Sequence, residues 1–384
     1  MKRSGAASVI TALVLLATGF LLAQAPPAPS PAGTKAASAP AGTYRVATFD
    51  SGFGGYFTAK EIEKQARALS TEGYGPFLIA HYGDTTNVPY GEKTPDQISS
   101  FASAGILAAF RDGATDVYIA CNTASTQIDH IREILRAEDP AYPSHVYSII
   151  DISVREVLKT VSARLRTEDV VTVAILATPA TIKSETYPRV LAKALNVALA
   201  PGTFTKLTQP RWLTSKGAAI DSFAYVTELA LGPSKRVVVY QLAPANWVEM
   251  IENGAPETEK HEAIRRDLEM LVGQTKPGAR FDVVGEFCTH YPVFDAMIQD
   301  ELRRLGRVTA DAPFIVQGPL MGALFRTEFL QRKPAQASGP VPPPATPAFY
   351  MSGTNIESTR ALIRKVFPND PAPAIAQKEF RVSK

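Results

Sequence analysis

The stretch "YIACNTAS", residues 118–125, decides how this chain is read. Three apolar-leaning residues run straight into Cys121 and the chain then turns polar, so a thiol is delivered to the end of a buried strand. The other cysteine, Cys288 in "EFCTHYPVF", has the same setting. An apolar run precedes it and small hydrogen-bonding side chains follow. Around these stretches, short β-branched runs alternate with amphipathic segments. "YRVATF", "FLIAHY", "DVYIA", "HVYSII", "VVTVAIL", "RVVVYQL", "FDVVGEF", "PFIVQ" and "AFYMS" are the strand candidates, and "EIEKQARAL" and "HEAIRRDLEML" have helical spacing. This alternation predicts an α/β fold of parallel sheets with helices on both faces. Ligand sites in such folds gather at the C-terminal ends of strands, which is where both cysteines fall.

The length of 384 residues predicts two domains of ordinary size, and a composition 45% hydrophobic and 20% charged is globular. A formal net charge of +3 supplies no basic field for nucleic acid. Lys2 and Arg3 precede the apolar run "VITALVLLATGFLLA" and the small-residue site "AQA", so residues 1–25 read as a signal peptide or an uncleaved N-terminal anchor. The expected location is periplasmic. Residues 26–43, rich in Pro, Ala and Ser, read as a flexible linker, and residues 332–347 as a Pro-rich surface loop.

"FDSGFGG", residues 49–55, follows the first strand and opens a helix. Its glycines permit a tight turn with N–H groups facing an anion, or simply a plain strand-to-helix turn. It has neither dinucleotide nor P-loop spacing. Asp50 stands at the strand end, where a carboxylate can orient or activate a neighbour. "HYGDTTNVPYGEKTP", residues 81–95, is a loop rich in turn formers, able to clamp a small polar ligand through backbone amides and the Tyr90 hydroxyl. His81, His130, His145 and His261 have no partner at metal-ligand spacing and read as packing or surface residues. The two cysteines admit a single disulfide, inert buried thiols, or a pair of acid–base groups tuned by their neighbours. In the last case one thiolate takes a proton from a substrate carbon while the opposite thiol supplies one to the other face, the arrangement of a two-base racemase.

"ATFDSGFGG", "YGDTTNVPYGEKTP", "IACNTAS", "LATPATIKSETY" and "CTHYP" occur in this order, and the chain from Tyr44 to Pro368 thereby resembles the glutamate racemases of the aspartate/glutamate racemase superfamily. The resemblance implies two doubly wound parallel-sheet domains facing each other across a cleft. The first would comprise 44–149 with 312–370, the second 150–311, and 371–384 would be a tail. It implies a cofactor-independent isomerase that interconverts L- and D-glutamate without PLP or metal. Cys121 and Cys288 would be the catalytic thiols, assisted by Asp50 and His290 respectively. Asp50, Ser51, Pro89, Tyr90, Gly91, Asn122, Thr123, Thr181 and Thr289 would hold the substrate. The expected partner is a small acidic amino acid, with a homodimer possible and no membrane partner beyond the N-terminal anchor. Aspartate or a broader range of amino acids is the alternative substrate, and an amino-acid-binding protein without catalysis is the alternative function. Family members that feed peptidoglycan precursors work in the cytoplasm, so export departs from that pattern. Three further departures stand out. Phe287 replaces the usual glycine before the second cysteine, where its ring is expected to narrow the pocket or reposition the thiol. "LAPANWVEMIENG" matches its family segment loosely and offers Glu252 as support for His290. The stretch around "LTQPRWLTSKGAAIDSFAYVTEL" reads as inserted, near where substrate selection or oligomer contacts would change.

Overall fold

A computed structural model describes residues 42–198, 207–213 and 219–382, with backbone alone for 207–213 and 219–220. The signal-like start and residues 26–41 of the linker lie outside the described residues.

Twelve strands are described: β1 (Tyr44–Asp50), β2 (Phe77–Gly83), β3 (Asp116–Ile119), β4 (Val146–Ser148), β5 (Val170–Ala177), β6 (Leu207–Leu213), β7 (Ala219–Ala230), β8 (Arg236–Ala243), β9 (Val283–Phe287), β10 (Phe314–Val316), β11 (Ala348–Met351) and β12 (Ile375–Gln377). They form two sheets of six, ordered β12-β11-β2-β1-β3-β4 and β10-β9-β5-β8-β7-β6. β5 and β8 are buried along nearly their whole length, as strands covered on both faces must be, and this is why they read as unbroken apolar runs. Every strand expected from the sequence is present in whole or part. The first sheet is entirely parallel.

In each sheet one strand is flanked by the next two that order the site. β1 pairs with β2 on one side and β3 on the other, and β5 pairs with β8 and β9. Chain direction away from the central strand reverses there, opening a crevice at the carboxyl ends. Asp50 ends β1 and Cys121 follows β3, while Thr178 follows β5 and Cys288 follows β9. The cysteines thus belong to different sheets.

The chain passes between the sheets twice, through helices Ile149–Arg164 and Gln317–Gln331. Val154, Val157 and Val161 of the first and Met321, Phe325 and Phe329 of the second share one apolar core with residues of both sheets. Three expectations are corrected. β10 pairs with β9, so the return crossing comes after Val316 rather than at 312. Residues 371–384 are more than a tail: β12 adds a parallel edge strand to β11, and the Phe380 ring lies 6.2 Å from that of Tyr82. The second sheet is not wholly parallel, because β7 runs antiparallel to both β6 and β8. These two strands come from the inserted stretch, whose tight return permits an antiparallel ribbon and no crossover helix. The Pro-rich residues 332–347 hold no helix or strand, as expected, and are tied down by Ala337, whose N–H donates to the Gly73 carbonyl at 2.8 Å.

Phe287 behaves differently from expectation. Strand alternation turns its ring away from the cleft into the core, fully buried, where it stacks on Tyr187 with centroids 4.4 Å apart. Gly285, two residues earlier on the same face, leaves the space it needs: a Cβ there would lie 2.4 Å from the ring. Gly285→Ala is expected to destabilise the fold by about 1–3 kcal/mol through overpacking, lowering the melting temperature by roughly 2–4 °C per kcal/mol. Thermal unfolding of the variant measures this, and an unchanged midpoint would remove the packing role assigned to Gly285.

Candidate active site

Cys121 is 4% exposed and stands as the N-cap of the short helix Asn122–Ser125. Its sulfur accepts the Ala124 N–H at 3.4 Å and donates to Ser51 Oγ at 3.6 Å. Burial pushes the thiol well above its ordinary value, the Asp50 carboxylate adds to the rise, and the Ala124 and Ser51 contacts oppose it. Burial outweighs the helix end, so the motif does not by itself yield a ready thiolate. Ser51, rather than Asp50, touches the sulfur.

Asp50 is almost fully buried, and its Oδ2 accepts the Thr289 hydroxyl at 2.9 Å, a bond that joins the carboxyl end of β1 to the residue after Cys288. Among the described residues its Oδ1 has no hydrogen-bond partner. A buried carboxylate oxygen with a free lone pair is an acceptor set for an ammonium group or a proton.

Around the second thiol, Cys288 Sγ lies 3.9 Å from His290 Nδ1, and His290 Nε2 lies 2.7 Å from Glu252 Oε1. Burial alone would lower the imidazole, but its contacts with Cys288 and Glu252 outweigh burial and hold it well above the usual histidine range. Glu252, offered by a loose motif, is therefore the partner of His290. The approach demands a glycine opposite: a Cβ on Gly54 would meet Thr289 Oγ1 at 2.5 Å and His290 Nδ1 at 2.7 Å.

Both cysteines line one cavity of about 590 Å³, together with Asp50, Ser51, Pro89, Tyr90, Gly91, Asn122, Thr123, Thr289 and His290. Every sequence-derived site residue except Thr181 is thus on its wall. Thr181 sits behind, its hydroxyl 2.9 Å from Thr178 Oγ1, and Thr178 lines the cavity and contacts Thr123 Oγ1 at 2.8 Å. Thr178 occupies the strand-end position that singled out Cys121, so the same rule would have found it. Two side chains are already engaged. The Tyr90 hydroxyl donates to Asp84 Oδ2 at 2.7 Å, leaving its ring and backbone for the cavity. The Asn122 amide is bound within a buried network, accepting from Gln317 Nε2 at 2.9 Å and from the Tyr187 hydroxyl. Gln317 and Tyr187 escaped sequence reading because they come from distant helices. His81 is a packed residue, fully buried between Thr48 and the Gly52 carbonyl, and burial lowers it to about 4. His130 and His261 are exposed, and His145 is a surface partner of Asp116. The thiols are free of any disulfide.

Comparison with known proteins gives the same direction. The glutamate racemase of Sulfurovum sp. is 31% identical over 265 residues, spanning 68% of this chain and 75% of its own length. The chain belongs to the glutamate racemase family. The glutamate racemase of Campylobacter jejuni is 35% identical over 169 residues, 43% of this chain and 60% of its own. No family model matches. Among solved structures, a Bacillus anthracis glutamate racemase superposes with a TM-score of 0.61 at 18% identity, covering 89% of this chain and 100% of its own. The Francisella tularensis glutamate racemase in complex with D-glutamate superposes with a TM-score of 0.57 at 19% identity, covering 88% of this chain and 98% of its own. At these identities the structures establish the shared fold.

The electrostatics of the first thiol can be measured within this racemase fold. Because the Asp50 charge raises Cys121, Asp50→Asn is expected to let the thiolate form at lower pH. The rate of Cys121 alkylation by iodoacetamide, followed against pH in a Cys288→Ser background, should therefore rise at lower pH in the variant. A shift to higher pH would contradict the assigned coupling.

Proposed function

We propose that the protein is an isomerase, a cofactor-independent glutamate racemase acting by proton transfer between Cys121 and Cys288. The observation that carries this reading is the placement of two free thiols from different sheets on one cavity, each with its own polar support. In one direction the Cys288 thiolate takes the Cα proton and becomes a thiol. The electron pair left on carbon takes the proton of the Cys121 thiol on the opposite face, leaving a thiolate there. The reverse direction exchanges these roles, so a proton must be redistributed between the sulfurs after each turnover.

The supporting groups fit that cycle. The imidazole of His290, held by Glu252 and raised well above the usual histidine range, stands beside the Cys288 sulfur as an acid–base partner, while burial keeps the Cys121 thiol loaded as a proton donor. The unpaired Asp50 oxygen suits the substrate ammonium. Ser51, the Thr123 and Thr178 hydroxyls, Thr289 and the backbone around Gly91 are the remaining polar groups assigned to the amino and carboxylate ends. That the relatives are glutamate racemases supports glutamate as substrate. Lys2, Arg3 and the apolar run behind them support export to the periplasm, tested by fractionating cells that carry a C-terminal tag. A wholly cytoplasmic, full-length product would overturn export.

Cys121→Ser and Cys288→Ser are each expected to abolish racemisation in both directions, because serine is a far weaker base-forming group. His290→Asn should slow the reaction by about 10²–10⁴-fold. Chirality and Cα deuterium exchange of L-glutamate, D-glutamate and L-aspartate, followed without added cofactor, measure these losses. Undiminished racemisation by both serine variants would sink the two-thiol mechanism. Binding of these amino acids with no exchange by the parent would indicate a receptor on this fold.

A further inference from the structure

The cavity is larger than free glutamate needs. Cavities of roughly 300–1,000 Å³ hold drug-sized ligands, and one of about 590 Å³ leaves substantial room beyond the thiols. The additional wall comes from β7, within the inserted stretch. Asp221, Phe223 and Tyr225 alternate on one face of that strand and line the cavity. The intervening Ala224 and Val226 pack into the apolar core behind it. β7 is locked to the catalytic side of the cleft. Phe223 pairs with Ala243 at the end of β8, and Ser222 Oγ accepts the Ala245 N–H at 2.9 Å. Ala245 lies in the turn into helix Trp247–Glu252, which carries the partner of His290. The Phe223 and Tyr225 rings stand 5.2 Å apart, edge to face, and Lys183 Nζ lies 5.5 Å from the Phe223 centroid.

The charge on this wall argues against a free dicarboxylate reaching it. Glu92, Asp221 and Glu249 line the cavity with Lys183, Glu252 being held by His290, and among the described residues Asp221 Oδ1 is buried without a hydrogen-bond partner. A side chain that is neutral at its γ-carbonyl, can donate an N–H, and ends in a planar apolar group satisfies both features. The amide N–H finds an acceptor at Asp221, and the planar group finds aromatic faces at Phe223 and Tyr225. We propose that β7 forms a second subsite of the racemase cavity, selecting γ-glutamyl amides with a planar apolar substituent over free glutamate. This rests on the two-thiol reading and names the substrate class of the same site. The chemistry at Cα is unchanged.

The test follows Cα deuterium exchange and inversion of L-γ-glutamyl-p-nitroanilide and L-glutamate side by side, with the parent, Tyr225→Ala and Val248→Trp. Val248 also lines the cavity, and a tryptophan there fills the space without removing β7 packing. The parent is expected to show a higher kcat/KM for the anilide than for glutamate. Each variant should lower the anilide-to-glutamate ratio at least tenfold. Circular dichroism confirms folding, and the two substitutions act in opposite ways, one opening and one filling the subsite. A parent that racemises glutamate but not the anilide overturns the subsite and leaves the two-thiol reading standing. So does a ratio unchanged in both folded variants. Exchange of neither compound by the parent overturns both.

Discussion

The hydrogen bond from Thr289 to Asp50 is the contact on which the geometry of the cleft depends. It ties the last residue of the central strand of one sheet to the residue following the thiol of the other. A bond between a hydroxyl and a buried carboxylate is charge-assisted and directional, so it sets register as well as proximity. Gly54 is the steric counterpart of that bond, since any side chain there would collide with Thr289 and His290. The "DSGFGG" turn is therefore read less as an anion cradle than as the place where one sheet lets the other come close. The strand-end rule puts reactive groups at two crevices; this contact makes them one cavity.

The same carboxylate gives the two thiols unlike surroundings. Cys121 is enclosed, with Asp50 nearby and only neutral groups in contact, so its proton is held tightly. Cys288 faces an imidazole whose own proton is retained by Glu252. A protein that exchanges protons with both faces of a carbon needs one loaded donor and one supported base at the same moment. The two environments already differ before substrate arrives, since burial and Asp50 hold the Cys121 proton while the Cys288 sulfur stands beside an imidazole. A symmetrical pair would have to acquire that difference during each turnover.

The sequence made most of this architecture legible for a physical reason. Parallel strands buried on both faces must be continuous apolar runs, and the two cysteines interrupt such runs at their ends. The resemblance in five ordered motifs supplied roles that periodicity does not contain. What escaped was whatever depends on partners far apart in the chain. The Asn122 amide looks free in "CNTAS", yet Gln317 and Tyr187 satisfy it; Tyr90 looks available in "VPYG", yet Asp84 takes its proton. Strands at and next to the sheet edges were also missed: β12 is three residues long among prolines, and β6 and β7 lie where antiparallel alternation carries no continuous apolar signal.

Alternation also settles two positions that residue type alone misleads. Phe287 precedes the thiol in sequence, and its bulk suggests a narrowed pocket, but neighbouring strand residues face opposite ways, so the ring that adjoins Cys288 along the chain is directed away from it in space. Phe223 lies far from either cysteine in sequence, yet its parity on β7 puts it on the cavity wall. Strand parity, rather than distance along the chain, decides which aromatic residues a substrate meets. An insertion at a sheet edge can therefore enlarge a reaction site without altering a single residue that performs the reaction.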